Sequence, residues 1–128
     1  MPQITVERSP RLDHVDWEAF ATALHPVVVE TAAARLEACK TRVLRTEDEA
    51  VGAGAEGHAI VQVTLALLAG RTEETKARLT EATLELLQKY VEPVDGLTLH
   101  LSAEVRDLDP SYRKAEIQGR TGPRTPAR

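Results

Sequence analysis

The chain opens Met1-Pro2, and Pro2 is the residue with the most chemistry to offer. Methionine is readily removed ahead of a small second residue, and its removal would leave a secondary amine at the terminus. An ordinary α-amino group has a pKa of roughly 8. Nearby cations and an apolar pocket disfavour its charged form, and an amine lowered in this way can take and return a proton near neutral pH. The plain alternative is a proline that opens an edge strand, where its missing N–H costs little. Retention of Met1 would make the same nitrogen an amide and abolish the base.

Three cations could act beside such an amine. Arg71 stands in Gly70-Arg71-Thr72, at the junction of a strand and a helix. An arginine there is either solvated, opposing the helix dipole slightly, or a fork for a carboxylate or a charged oxygen. Lys40 and Arg42 alternate with Thr41 and Val43, so both cations point to one face of a strand. They are either surface charges on an edge strand or the grip on an anionic group.

Other reactive types lack the spacing that chemistry requires. His14, His25, His58 and His100 show no metal-binding pattern, such as two histidines four apart on a helix, and read as surface or core-edge residues. Cys39, the single cysteine, has no visible base partner, and one cysteine makes neither an internal disulfide nor a cysteine-built metal site. The run Gly52-Ala53-Gly54-Ala55-Glu56-Gly57 lacks the lysine and the preceding strand of a phosphate loop.

The elements that must position these residues follow from periodicity. Pro2 to Glu7 alternates, with Ile4 and Val6 on one face of a strand. Arg8 to His14 reads as a loop. Asp16 should cap a helix in which Trp17, Phe20, Leu24 and Val28 recur at helical spacing, with Val15 and Phe20 placed as a hydrophobic staple. Pro26 removes one hydrogen bond inside that pattern and predicts a kink. Cys39 to Arg45 is a second strand and Thr46 to Gly57 an exposed turn. His58 to Leu68 is a third strand, with Val61, Val63, Leu65 and Leu67 on one face. Glu73 and Glu74 suit the first turn of a second helix, whose inward stripe runs Leu79, Thr83, Leu86, Leu87, Tyr90 and Val91. Leu97, Leu99, Leu101, Ala103 and Val105 alternate with polar residues in a fourth strand.

The order is strand–helix–strand, twice: an α+β fold of two tandem β-α-β units, with both helices on one face of a sheet. The bare face, carrying Ile60 and Leu44, predicts oligomerisation. The domain spans 1–114, and 115–128, rich in Gly, Pro, Thr and Arg, is expected to be a disordered tail. The 128 residues suit one domain, and 42% hydrophobic with 28% charged is an ordinary soluble balance. A net charge of −4 and 3% aromatics argue against nucleic acid. The chain has no long apolar run or signal-peptide pattern, which points away from membranes and to the cytoplasm.

The proline after the initiator, the doubled layout, Gly70-Arg71-Thr72-Glu73-Glu74 and the stretch Leu101-Ser102-Ala103-Glu104-Val105-Arg106-Asp107-Leu108-Asp109-Pro110 together resemble the 5-carboxymethyl-2-hydroxymuconate Δ-isomerases of the tautomerase superfamily. The resemblance runs from Pro2 to about Lys114. It implies a cofactor-independent keto–enol isomerisation in aromatic-ring catabolism, a homotrimer with sites near subunit boundaries, and no metal. It casts Pro2 as base and acid and Arg71 as the residue that binds a substrate carboxylate or steadies the oxygen gaining charge. The family's Arg-Ser-Arg-Val reads Lys40-Thr41-Arg42-Val43 here, so Lys40 stands where an arginine is expected, and Lys40 or Arg42 would hold a second carboxylate. Within the superfamily the alternatives are another 2-hydroxydienoate or phenylpyruvate; outside catalysis, a trimeric assembly domain that has lost the site.

Overall fold

Parallel strands cannot be joined by a tight turn, so each parallel pair in this fold carries a helical crossover. In the computed structural model, which describes residues 1–120, β1 (Gln3–Arg8) leads through α1 (Trp17–Ala32) to β2 (Lys40–Arg45). β3 (His58–Leu67) leads through α2 (Glu73–Tyr90) to β4 (Thr98–Asp107). The four strands form one sheet in the order β2-β1-β3-β4. β1 and β2 are parallel, as are β3 and β4, and the two units join through the antiparallel β1–β3 pair. The α+β layout read from the sequence is the observed one.

Register decides which face is covered. Ile4 pairs with Leu65 and Val6 with Val63 across the central pair, and all four are fully buried. They meet Phe20, Leu24 and Val28 of α1 and Leu79 and Leu87 of α2 in one core. Phe20 joins the helices: its ring stands edge-on to Trp17 at 6.0 Å and to Tyr90 of α2 at 5.8 Å. The opposite face carries Thr5, Ile60, Gln62, Thr64 and His100, none of them buried, and Leu44 at 48% exposure.

Both helices start on capping side chains. Asp16 accepts from the Ala19 N–H at 3.0 Å, and Thr72 accepts from the Thr75 N–H at 3.1 Å. Pro26 lies inside α1, which nevertheless continues to Ala32. Pro26 and Thr22, whose carbonyl loses its N–H partner, are both exposed, so water can satisfy that carbonyl.

The segment read as a polar loop is more ordered than its composition suggests. A 3₁₀ turn spans Pro10–Leu12, and Trp17 donates its indole N–H to the Leu12 carbonyl at 2.9 Å. Ser9 is fully buried because its polar groups are paired: its N–H donates to the Ile60 carbonyl, its Oγ accepts from the Ile60 N–H, and its hydroxyl donates to Glu49. A second 3₁₀ turn at Leu36–Ala38, also absent from the sequence reading, leads into β2. Of the expected tail, 115–120 is exposed and outside helix and strand, and 121–128 lies beyond the described residues.

Phe20→Ala removes the ring shared by both helices from a fully buried position. It should lower the unfolding free energy by about 3–5 kcal/mol, measured by urea denaturation.

Candidate active site at the amino terminus

Because β1 and β3 run antiparallel, the start of β1 lies beside the end of β3; the parallel pairs add the start of β2 and the end of β4 to the same edge. Pro2 is buried there, and its carbonyl accepts from the Lys40 N–H at 3.2 Å. Two clefts flank this edge. One, about 440 Å³, is lined by Met1, Ala33, Arg35, Leu68, Arg71 and Tyr112, among others. The second, about 450 Å³, includes Gln3, Arg35, Glu37, Lys40, Tyr112 and Glu116. Arg35, Ala38, Tyr112, Arg113 and Lys114 line both. The combined walls carry Arg35, Lys40, Arg71, Arg113 and Lys114 against Glu37 and Glu116, which suits an anionic guest.

The terminal amine, here that of Met1, is held below its ordinary pKa, first by burial and then by the charges of Lys40 and Lys114. The sign favours the neutral, basic form. Removal of Met1 would move the terminus onto Pro2, which already sits against the first residue of β2.

The residues singled out in the sequence take different positions. Pro2, Lys40 and Arg71 gather at this edge. Arg71 donates from Nε and Nη2 to the Ala32 carbonyl, at 3.1 and 2.9 Å, and from Nη1 to the Leu68 carbonyl at 3.1 Å. It therefore ties the end of α1 to the end of β3. Three of its five N–H groups are engaged in this way, leaving two uncommitted on a residue that lines the first cleft. Arg42 shares the face of Lys40 but lines neither cleft. Its Nη1 donates to Gln3 Oε1 at 3.0 Å.

Arg35, Tyr112, Arg113 and Lys114 were not singled out from the sequence. The turn that delivers the last three was visible in Asp109-Pro110-Ser111-Tyr112, which has acid and proline where a type I turn favours them. The Tyr112 N–H donates to the Asp109 carbonyl at 2.9 Å and the Ser111 N–H to the Asp109 carboxylate at 2.8 Å. Hydrogen bonding from Ser111, first from its side chain and then from its N–H, holds the Asp109 carboxyl below its ordinary pKa. Tyr112 then meets the amino terminus: its hydroxyl oxygen lies 3.1 Å from the Met1 nitrogen and 3.1 Å from Gln3 Nε2, both of which donate to it.

The histidines and the cysteine lie outside this wall. His25 contacts the Thr41 hydroxyl at 2.7 Å, and His58 Nδ1 lies 3.0 Å from His100 Nε2 across the β3–β4 pair. Cys39 is buried, and burial pushes its thiol up from the usual value. Among the described residues, no group of three or more His, Cys, Asp or Glu side chains could hold a metal ion. No helix among them is long and apolar enough to cross a membrane.

Two β-α-β units joined through their antiparallel central strands make a tautomerase-like fold. The chain belongs to the 5-carboxymethyl-2-hydroxymuconate isomerase family, whose model matches residues 2–121. Its fold is similar to a 5-carboxymethyl-2-hydroxymuconate isomerase from Deinococcus radiodurans R1, at TM-score 0.75 and 22% identity over 90% of each chain. A 5-carboxymethyl-2-hydroxymuconate delta-isomerase matches at TM-score 0.67 and 18% identity, over 92% of this chain and 89% of that one. A fused 4-OT described as a wild-type symmetric trimer matches at TM-score 0.66 and 26% identity, over 89% and 91%. No curated protein sequence matches the chain.

Lys40→Met removes a like charge from beside the terminal amine, so the amine pKa should rise. The pH dependence of N-terminal acylation by a small anhydride, followed by mass spectrometry, should shift to higher pH. Arg42→Met should leave it in place, because the charge of Arg42 is not among those acting on the amine.

Proposed function

We propose that the chain is a cofactor-independent isomerase acting on 5-carboxymethyl-2-hydroxymuconate, with the amine of Pro2 as base and then acid. The supporting observation is the Met1 amine, lowered by burial and two lysines, in a residue that lines one of two adjoining clefts whose walls carry five cations and two acids. With Met1 removed, the Pro2 nitrogen takes the proton of the substrate's 2-hydroxyl. The electron pair spreads over the diene, and the same nitrogen returns the proton to a conjugated carbon, giving the 2-oxo isomer. One proton leaves oxygen and one reaches carbon, so nothing is oxidised or reduced. The two uncommitted N–H groups of Arg71 face the negative charge that develops, and Lys40 holds a remote carboxylate. Arg42 acts through Gln3, since it lines neither cleft and its guanidinium donates to the Gln3 carbonyl oxygen. Positioning and fixed positive charge then supply the rate.

Steady-state kinetics with 5-carboxymethyl-2-hydroxymuconate, 2-hydroxymuconate and phenylenolpyruvate test the reaction and rank the substrates. The first should give the highest kcat/KM. Pro2→Ala should lower kcat by about 10²–10⁴-fold, the range for a lost general base. Arg71→Ala should lower kcat and kcat/KM together, and Lys40→Ala should chiefly raise KM. Met1 present in the intact mass of a fully active preparation overturns the assignment of the base. No turnover of any of the three favours the assembly-domain reading.

The uncovered sheet face and the trimeric relative also support a homotrimer. Equilibrium sedimentation should return three times the 14.0 kDa chain mass, and a fully active monomer at micromolar concentration contradicts it.

A further inference from the structure

The hydrogen bonds around Tyr112 carry more than a structural role. Arginine can only donate, so the Gln3 atom facing Arg42 is the carbonyl oxygen Oε1. That fixes the other end of the same amide, Nε2, as the group facing Tyr112, where it donates to the phenol oxygen. The Met1 nitrogen donates to the same oxygen. With both lone pairs of the oxygen taken, its proton has to point away from both donors, and Tyr112 lines both clefts. Removal of Met1 frees one lone pair but leaves the Gln3 bond, and the space Met1 vacates is itself part of a cleft wall.

Arg71 leaves an opening for a second donor. One of its in-plane edges, Nε–Nη2, is spent on the Ala32 carbonyl, and Nη1 is also committed, to the Leu68 carbonyl. We propose that Tyr112 is a substrate-contacting residue, donating its hydroxyl hydrogen bond to the C2 oxygen of an unsaturated 2-hydroxy or 2-oxo acid, and that Gln3, held by Arg42, aims it. This rests on the isomerase reading above. No proton leaves Tyr112: the hydrogen bond strengthens as negative charge grows on the oxygen, and Pro2 carries the transferred proton. The turn at Asp109–Tyr112 makes the arrangement a property of the chain's own carboxy-terminal segment.

The test compares 2-oxoadipate with adipate, two six-carbon diacids that differ at the 2-oxo group, by titration calorimetry on the full chain with Met1 removed. The ratio of their dissociation constants isolates that oxygen and cancels effects common to both diacids. In the native sequence 2-oxoadipate should bind about 10-fold more tightly. Tyr112→Phe should reduce that ratio about fivefold or more while leaving adipate little changed. Gln3→Glu presents an acceptor to Tyr112, draws the phenol proton to itself and should reduce the ratio similarly, so a folding defect in one variant does not remove the test. An unchanged ratio in Tyr112→Phe overturns the proposal and leaves the isomerase reading standing. A ratio that falls in Tyr112→Phe but not in Gln3→Glu overturns the aiming role of Gln3. Failure of both diacids to bind the native sequence overturns both readings.

Discussion

The antiparallel pairing of β1 with β3 is the constraint on which the rest of the molecule depends. Each β-α-β unit alone would have a two-stranded sheet and one helix, too little apolar area for stability. Joined at β1–β3, the units place Ile4, Val6, Val63 and Leu65 in fully buried opposite pairs and set both helices on one face. The same pairing decides chemistry. Had β1 and β3 run parallel, the start of β1 would lie at the far end of the sheet from Arg71 and Tyr112. Antiparallel, it brings the amino terminus, Lys40, Arg71 and the turn after β4 to one edge.

That edge concentrates positive charge, which repels itself, and the fold offsets part of this with backbone dipoles. From sequence, Arg71 stands one residue before the cap of α2, where a cation opposes the helix dipole. In three dimensions its guanidinium reaches the carbonyl of Ala32, the last residue of α1, where a cation is favoured. The residue that holds α1 against the end of β3 is thus the one that presents positive charge to the cleft. Lys40 likewise donates to a backbone carbonyl, that of Ala38 at 3.2 Å, but neither Lys40 nor Lys114 pairs with an acidic side chain among the described residues, and their charge acts on the terminal amine.

What could be read in advance follows the same division. Strands and helices were legible because burial on one face imposes periods of two and 3.6, and His58–Leu67 obeys the first without exception. Asp16 and the helix it caps were legible for a local reason, one side chain bonding one nearby N–H. Pro26 falls on the solvent side of α1, where a lost hydrogen bond is cheap, and the helix runs on to Ala32. Ser9 looked like loop and is core, because its pairing with Ile60 spans 51 positions of sequence. Arg35 and Tyr112 escaped for the same reason: nothing near Tyr112 in sequence says that the chain will turn back to the amino terminus. The turn itself was written in Asp109 and Pro110; its destination was set by strand order.

Proline at position 2 also answers a problem of hydrogen-bond accounting. A backbone nitrogen at the head of a strand would ordinarily be claimed by the ladder or left as an unsatisfied buried donor. The sheet engages Pro2 only through its carbonyl, which accepts from the Lys40 N–H. Its nitrogen, having no hydrogen to place while Met1 is attached, asks nothing of the fold. In the proposed mechanism, with the chain starting at Pro2, that nitrogen would be free for proton transfer without breaking a ladder bond. The bond from Lys40 to Pro2 does a second job, because it fixes the strand bearing the Lys40 charge against the residue proposed to hold the amine. Backbone register thus keeps the start of β2, and with it Lys40, beside the amino terminus, where its charge lowers the affinity of the Met1 amine for a proton. A lysine can replace an arginine at this position without disturbing the register, since the bond that sets it comes from the main chain.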